Sequence, residues 1–324
     1  MLVGHQKIRS RFDKLLVKDN LAHAYLFVGP EAVGKAFFAS YLAQKICCPE
    51  AEAPCDRCSS CRLIESGNHP DLIVLEPKIE EKGGKTVKQK ISIGQVRSLR
   101  KQISLVPFQA TKKIAIIKDA EFISGEAANA FLKILEEPPQ NTILILVSSS
   151  SQAILPTLRS RCQAVNFSFL SKDEMNRLAQ TQPEFGQLSN HEKSLLLEMS
   201  AGRPGFLLTF LRDSELKKFF YQQGQFFKEI FELSVADRFL KLEKTVGDQR
   251  RLNWVIFFWL LLGHQALKRI SGLETAESLD KFLPQKAEAS RLVNFLKQAQ
   301  TMMSTINNNG LNQRLLLENL LLNI

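Results

Sequence analysis

Short, unbroken apolar runs punctuate the first half of the chain: Tyr25–Val28, Leu72–Leu75, Ile114–Ile117 and Ile143–Val147. A strand with one face in water alternates apolar and polar residues, whereas a strand covered on both faces does not. The runs therefore predict buried strands of a parallel sheet. Between them, apolar residues recur every three or four positions. Ile93, Val96, Leu99 and Ile103 form one such stripe. Ala127, Ala128, Phe131, Leu132 and Leu135 form a second, which stops at Pro138-Pro139. Helical spacing alternating with strand runs predicts a doubly wound α/β module over residues 1–168.

Beyond residue 168 the strand-like runs end. Ser171 with Glu174 has the spacing of a capping box at a helix start. Helical patterns then continue to the C-terminus, broken at Gly202-Arg-Pro-Gly205. We expect a small helical unit at 169–209 and a larger helical bundle at 210–324. The nine residues Trp254–Leu262 are apolar all round, so their helix must be buried on most sides, in a core or at an oligomer interface. A bilayer span needs about 20 such residues, which excludes this run as a membrane helix. Leu311–Ile324 reads as a closing helix with Arg314, Glu318 and Asn319 on its wetter side, after a turn at Asn307–Gly310.

A length of 324 residues fits the two or three domains in this pattern. Charge adds a hint of partner. Forty-three Lys and Arg against 33 Asp and Glu give a net charge of +10, which permits contact with nucleic acid. Two local excesses stand out: Lys78, Lys82, Lys85, Lys88 and Lys90 in one loop, and Arg97, Arg100, Lys101, Lys112 and Lys113 further on. The first 20 residues are rich in charge and hold no apolar stretch of signal-peptide length, so a cytoplasmic chain is expected.

Gly29-Pro-Glu-Ala-Val-Gly34-Lys35-Ala36 follows the first strand run and opens a helical segment. This is P-loop spacing, in which backbone N–H groups converge on phosphate and the lysine adds a point charge. The hydroxyl that should ligate Mg²⁺ is missing, because Ala36 stands in its place. A metal-binding Asp followed by a catalytic Glu should end a neighbouring strand, yet Ile114–Ile117 runs into Lys118-Asp119-Ala120. Lys118 opposes a cation and Asp119 is a methylene shorter than Glu. Gly29, Gly34 and Lys35 remain able to hold ATP or ADP, with hydrolysis in doubt.

Five of the six cysteines lie between residues 47 and 61. In a cytosolic chain such clustering favours metal over disulfides. Cys55-x2-Cys58-x2-Cys61 presents three thiolates and Cys47 or Cys48 the fourth, with Cys48 preferred, for a closed structural Zn²⁺ site. An iron–sulfur cluster is the rival reading. Cys162 reads as a packed thiol. Arg161, just before the end of the α/β module, reads from the residues alone as a surface or salt-bridged arginine, or as one that reaches a neighbouring subunit. The five histidines form no His-x3-His pair and there is no Gly-x-Ser-x-Gly elbow, which sets aside metalloprotease and serine-hydrolase chemistry.

Together these segments resemble bacterial clamp-loader subunits of the AAA+ class. The resemblance rests on Leu21–Pro30, the cysteine insert at about 47–61, Ala128–Pro139 with its Leu-Glu-Glu-Pro-Pro ending, Leu158-Arg-Ser-Arg-Cys162, and the closing Arg314-Leu-Leu-Leu-Glu-Asn-Leu-Leu. It runs from residue 21 to the last helix. Ala36 and Lys118-Asp119-Ala120 depart from the ATP-hydrolysing members and are similar to the non-hydrolysing stator of the DNA polymerase III clamp loader. The resemblance implies an AAA+ module with a zinc insert, a helical lid and a helical collar that oligomerises. It further implies that Arg161 acts in trans as an arginine finger on a neighbouring motor's ATP site, and that Arg203 holds the sensor-2 position. Implied partners are the motor (gamma/tau) and delta subunits, the sliding clamp and primed template DNA. The alternatives are an ATP-hydrolysing motor with altered metal ligation and a P-loop phosphotransferase. Ala36 weighs against both, and the helical C-terminal half offers the latter no acceptor site.

Overall fold

The computed structural model describes residues 3–82, 85–242, 249–305, 313–322 and 324. Its strands are β1 (Ala24–Val28), β2 (Leu72–Leu75), β3 (Ile79–Lys82), β4 (Lys85–Lys88), β5 (Lys113–Ile117), β6 (Thr142–Ser148) and β7 (Gln163–Asn166). Five of them form one sheet in the order β2-β5-β6-β1-β7, with every pairing parallel. The register sets Val74 beside Ile116, Ile116 beside Ile145, and Ile145 beside Tyr25.

In β1, β5 and β6 the continuous apolar runs arise because both faces of the sheet are covered. Leu72–Leu75, expected to be buried in the same way, instead forms the edge strand β2, with Leu72 alone fully buried and Val74 exposed. Tyr25, Phe27, Ile114, Ile116 and Ile145 pack on one side with Phe12, Phe38 and Leu42. Leu26, Ala115, Ile117, Leu144 and Leu146 face the other side, against Val96, Leu99, Phe131 and Leu135. Each buried leucine, isoleucine or phenylalanine here stabilises the fold by about 1.5–3 kcal/mol relative to exposure. The helix Gly125–Glu136 starts at Ser124, whose hydroxyl accepts the Ala127 N–H, and ends two residues before Pro138.

β7 carries no apolar run. It lies at the sheet edge, only Val165 of its four residues is buried, and its pattern is that of a loop. The lysine-rich segment expected as a loop instead folds as the β3–β4 ladder. The side chains of Lys82 and Lys85 lie outside the described residues.

The chain divides into two compact units. The first comprises Met1–Glu80, Lys88–Leu178 and Gly202–Gly205, and the second Glu81–Val87, Ala179–Ala201 and Phe206–Ile324. In the first, Ser171 and Glu174 make the expected capping box: Glu174 accepts the Ser171 N–H at 2.9 Å, and the Ser171 hydroxyl accepts the Glu174 N–H at 3.3 Å. Apart from the parts of β3 and β4 within residues 81–87, the regular elements described in the second unit are helices. Its longest helix, Gln249–Ile270, contains the Trp254–Leu262 run. Val255, Ile256, Phe258, Trp259 and Leu262 are all buried, and Trp254 packs edge-on against Phe206. The run is therefore internal core. In the closing helix Gln313–Leu322, Asn319 is exposed and Glu318 half-buried as expected, but Leu315 is also exposed. The Arg314 side chain and the Asn307–Gly310 turn lie outside the described residues.

Candidate functional site

The P-loop leaves β1 at Gly29, where φ is 153°. A Cβ there would lie 2.2 Å from the Phe167 carbonyl oxygen, so only glycine fits. Gly34 caps the helix Lys35–Cys47 and sets its free N–H groups at the loop. The Lys35 ammonium is buried and donates to the carbonyls of Gly29 and Pro30, each at 2.6 Å. Burial pulls its pKa down to about 8, against the opposing pull of Glu121, Glu31 and Asp119.

Arg203 belongs to the same unit. Its guanidinium is buried over the Phe169 ring at 5.1 Å, and burial lowers its pKa to about 10 while Glu31 opposes the fall. The turn carrying it is pinned to the P-loop, because the Gly205 N–H donates to the Ala32 carbonyl at 2.8 Å. A Cβ on Gly205 would stand 3.0 Å from the Ala32 methyl, so the close approach favours glycine. Gly29, Gly34, Lys35 and Arg203 thus converge, and Ala36 contributes only a methyl.

At the end of β5, where a metal-binding acidic pair would stand, Lys118 and Asp119 are both engaged elsewhere. Lys118 pairs with Glu76 at 3.1 Å. Asp119 adopts a left-handed conformation, φ 50°, and pairs with Lys88 at 2.6 Å. The carboxylate with the strongest pull on Lys35 is Glu121, which the sequence reading passed over. One of its oxygens accepts from the Ser149 hydroxyl at 2.7 Å and the Ser149 N–H at 3.2 Å. The other is buried with no hydrogen-bond partner among the described residues. A pattern of strand plus acidic pair looks one or two residues past the strand. The 3-10 turn Ala120–Phe122 places the relevant group further on, and no sequence signal marks it.

The sulfurs of Cys48, Cys55, Cys58 and Cys61 all lie within 4.8 Å of one another, with Cys48 and Cys58 at 3.9 Å. A tetrahedral Zn–S site with bonds of about 2.3 Å needs sulfurs roughly 3.8 Å apart. The set therefore fits a single tetrahedral ion more closely than a polynuclear cluster. The turn aims N–H groups at two of the sulfurs, that of Cys58 at the Cys55 sulfur and that of Cys61 at the Cys58 sulfur, while burial pushes the Cys61 thiol up to about 12. The N–H of Arg57, aided by that of Cys58, lowers the Cys55 pKa to about 6. Cys47 is instead buried in the sheet core, where burial raises its pKa to about 12. Cys162 is likewise a packed thiol, pushed up to about 12 by burial.

Arg161 sits on the surface. Its guanidinium pairs with Glu136 at 2.7 Å and donates to the Thr157 carbonyl at 3.2 Å. Arg97, Arg100 and Lys101 are exposed on the helix Ile93–Ile103. Lys112 pairs with Asp19, and Lys113 is buried against the Gln102 carbonyl, so the basic patch is smaller than the sequence implies.

A P-loop leaving a strand flanked on both sides by later strands, with helices on both faces, defines a doubly wound P-loop module. The family model described as DNA polymerase III, delta subunit, matches residues 4–171. The DNA polymerase III subunit delta' of Haemophilus influenzae is 31% identical over 73% of this chain and 69% of its own length. That of Bacillus subtilis is 39% identical over 50% of this chain, which spans only 48% of that relative. A solved DNA polymerase III gamma subunit-related protein of Thermotoga maritima aligns with 96% of this chain and 97% of its own, at 15% identity and a TM-score of 0.46. The chain belongs to the DNA polymerase III delta-prime subunit family.

Proposed function

We propose that the chain is a non-hydrolysing stator of a DNA polymerase III clamp loader, in which Arg161 acts in trans on the ATP site of a neighbouring motor subunit. The observation that carries this reading is the pairing of a spoiled metal site with an exposed arginine. Ala36 and Lys118 remove two expected supports for Mg²⁺, and Asp119 is tied to Lys88. The one charged partner of Arg161 among the described residues is the Glu136 carboxylate, an anion that a phosphate can replace; its other bonds go to the neutral Thr157 carbonyl and Ser160 hydroxyl. Such an arginine raises motor turnover by stabilising charge on the transferring phosphoryl group, by on the order of 10³–10⁵ in comparable systems.

Residues 1–168 form the AAA+ module, 169–209 the lid and 210–324 the oligomerising collar. Zn²⁺ on Cys48, Cys55, Cys58 and Cys61 braces the insert with no open position. Gly29, Gly34, Lys35 and Arg203 hold ATP or ADP without turnover. The partners are the motor (gamma/tau) and delta subunits, the sliding clamp and primed template DNA, in the cytoplasm. Exposed Leu105, Val106 and Phe108 support a protein contact, and Arg97, Arg100 and Lys101 support contact with DNA. Among the described residues no helix is long and apolar enough to cross a membrane.

One observation favours a second reading, an ATP-hydrolysing motor with altered metal ligation: Glu121 offers a free carboxylate oxygen beside Lys35. ATP turnover by the purified chain decides between them. The stator reading expects none above background, with or without DNA, and steady turnover abolished by Glu121→Gln would establish the motor.

A further inference from the structure

A cleft in the helical unit plays no part in the role proposed above. It lies among the helices Asn190–Ser200 and Ser214–Glu229 and the 3-10 turn Glu277–Phe282, and encloses about 510 Å³. That volume suits one or two large side chains or a small ligand. Its floor is apolar: Leu195, Met199 and Phe282 line it, each no more than 9% exposed. Methionine lets such a floor adapt to the shape of what enters.

The rim is cationic. Lys281 stands 5.1 Å over the rings of both Tyr221 and Phe282, and its ammonium lies 3.2 Å from the His191 Nε2. Of the three rim lysines, Lys218 is paired with Glu215 at 2.8 Å, whereas neither Lys281 nor Lys217 is in an ion pair among the described residues. Glu192, the acidic residue on the rim, is engaged in its helix cap and also interacts electrostatically with Lys217, so it offsets part of the charge there while Lys281 stands free of it. Glu192 accepts the Ser189 N–H at 2.9 Å and the Ser189 hydroxyl at 2.7 Å. A cation fixed over aromatic faces at the mouth of an apolar cleft attracts an anion that brings apolar surface with it. Nucleic acid satisfies the rim but leaves the floor wet.

We propose that this cleft docks an acidic peptide segment of a partner protein. Aspartate or glutamate side chains pair with Lys217 and Lys281, and one leucine- or phenylalanine-sized side chain fills the floor of Leu195, Met199 and Phe282. Burying such an anchor is expected to contribute about 10- to 100-fold in affinity.

The test uses the full chain and a short fluorescein-labelled peptide with several aspartates around one phenylalanine, read by anisotropy at low salt. Two control peptides replace the phenylalanine with alanine or the aspartates with asparagine. Each control should bind at least about tenfold more weakly than the parent. Lys281→Glu and, separately, Lys217→Glu should weaken the parent by a similar factor, while Lys281→Arg keeps most of the binding. Circular dichroism confirms that each variant is folded. The proposal is overturned if the parent does not bind, if the alanine control binds as well as the parent, or if both charge reversals leave binding unchanged. Displacement by a single-stranded oligonucleotide as readily as by unlabelled peptide also overturns it, because the cleft would then be a generic cationic surface.

Discussion

Asp71 precedes β2 and is fully buried, yet its carboxylate accepts three backbone N–H groups. Phe108 donates to one oxygen at 2.7 Å, and Gln109 and Ala110 donate to the other at 2.7 and 2.9 Å. Burial pushes the carboxyl pKa up, but the N–H groups of Ala110, Gln109 and Phe108, with His69, outweigh it and hold it below the usual carboxylate range. The cradle fixes the turn that presents Leu105, Val106 and Phe108 to solvent, 65, 86 and 78% exposed. Asp71→Asn preserves the shape but turns an NH₂ toward at least one of these donors. Losing charge-assisted bonds and stranding a buried N–H should cost about 2–4 kcal/mol. The loss should be read at the turn itself, because two units need not unfold together. Limited chymotrypsin cleavage after Phe108 should speed up by roughly 30-fold or more if opening is in rapid equilibrium, at about 1.4 kcal/mol per factor of ten. The wild type gains this stability above the unfolded Asp pKa, about 3.9, and loses it as pH falls through the lowered folded value. The gap between wild type and Asp71→Asn should therefore close in acid. Equal cleavage at neutral pH would refute the cradle.

Four further outcomes follow. Cys58→Ser should release one equivalent of Zn²⁺ by elemental analysis and loosen the insert while leaving Arg161 functional; freshly purified wild type lacking zinc would defeat the metal assignment. Ala36→Thr with Lys118→Asp should tighten Mg-nucleotide binding by titration calorimetry, and an unchanged affinity would mean that the site is not a decayed P-loop. Nucleotide affinity should fall as pH rises through about 8, where buried Lys35 loses its proton, and a flat profile to pH 10 would place the phosphates elsewhere. Glu136→Gln removes an exposed ion pair of about 0–1 kcal/mol, so it should leave the fold intact and raise motor stimulation by no more than about fivefold. A large fall would instead make Glu136 the group that aims Arg161.

What was legible in the sequence follows from what local pattern can encode. β1, β5 and β6 were readable because burial on both faces demands unbroken apolar runs. β7 was not, because Gln163-Ala-Val-Asn166 has no apolar run; edge strand β2 needs no more burial than β7 but happens to carry one. The four cysteines were readable from spacing, and the choice of Cys48 over Cys47 needed the end of a helix to aim one sulfur inward and the other out. The loss of metal support at Ala36 and Lys118 was a matter of residue type alone. Glu121 was hidden because a 3-10 turn redirects it, and the Lys88–Asp119 pair joins residues 31 apart. The Trp254–Leu262 run announced its burial, but only packing against Phe206 and the Gln223 carbonyl shows that the covering surface is internal.

The central claim, a stator that acts through Arg161, is tested most directly by DNA- and clamp-stimulated ATP turnover of partner motor subunits in the presence of delta. The chain is omitted, added as wild type, or added as Arg161→Ala. The account predicts strong stimulation by wild type and its loss in the mutant, with normal assembly in both. Equal stimulation by wild type and Arg161→Ala would contradict it and leave the chain a scaffold.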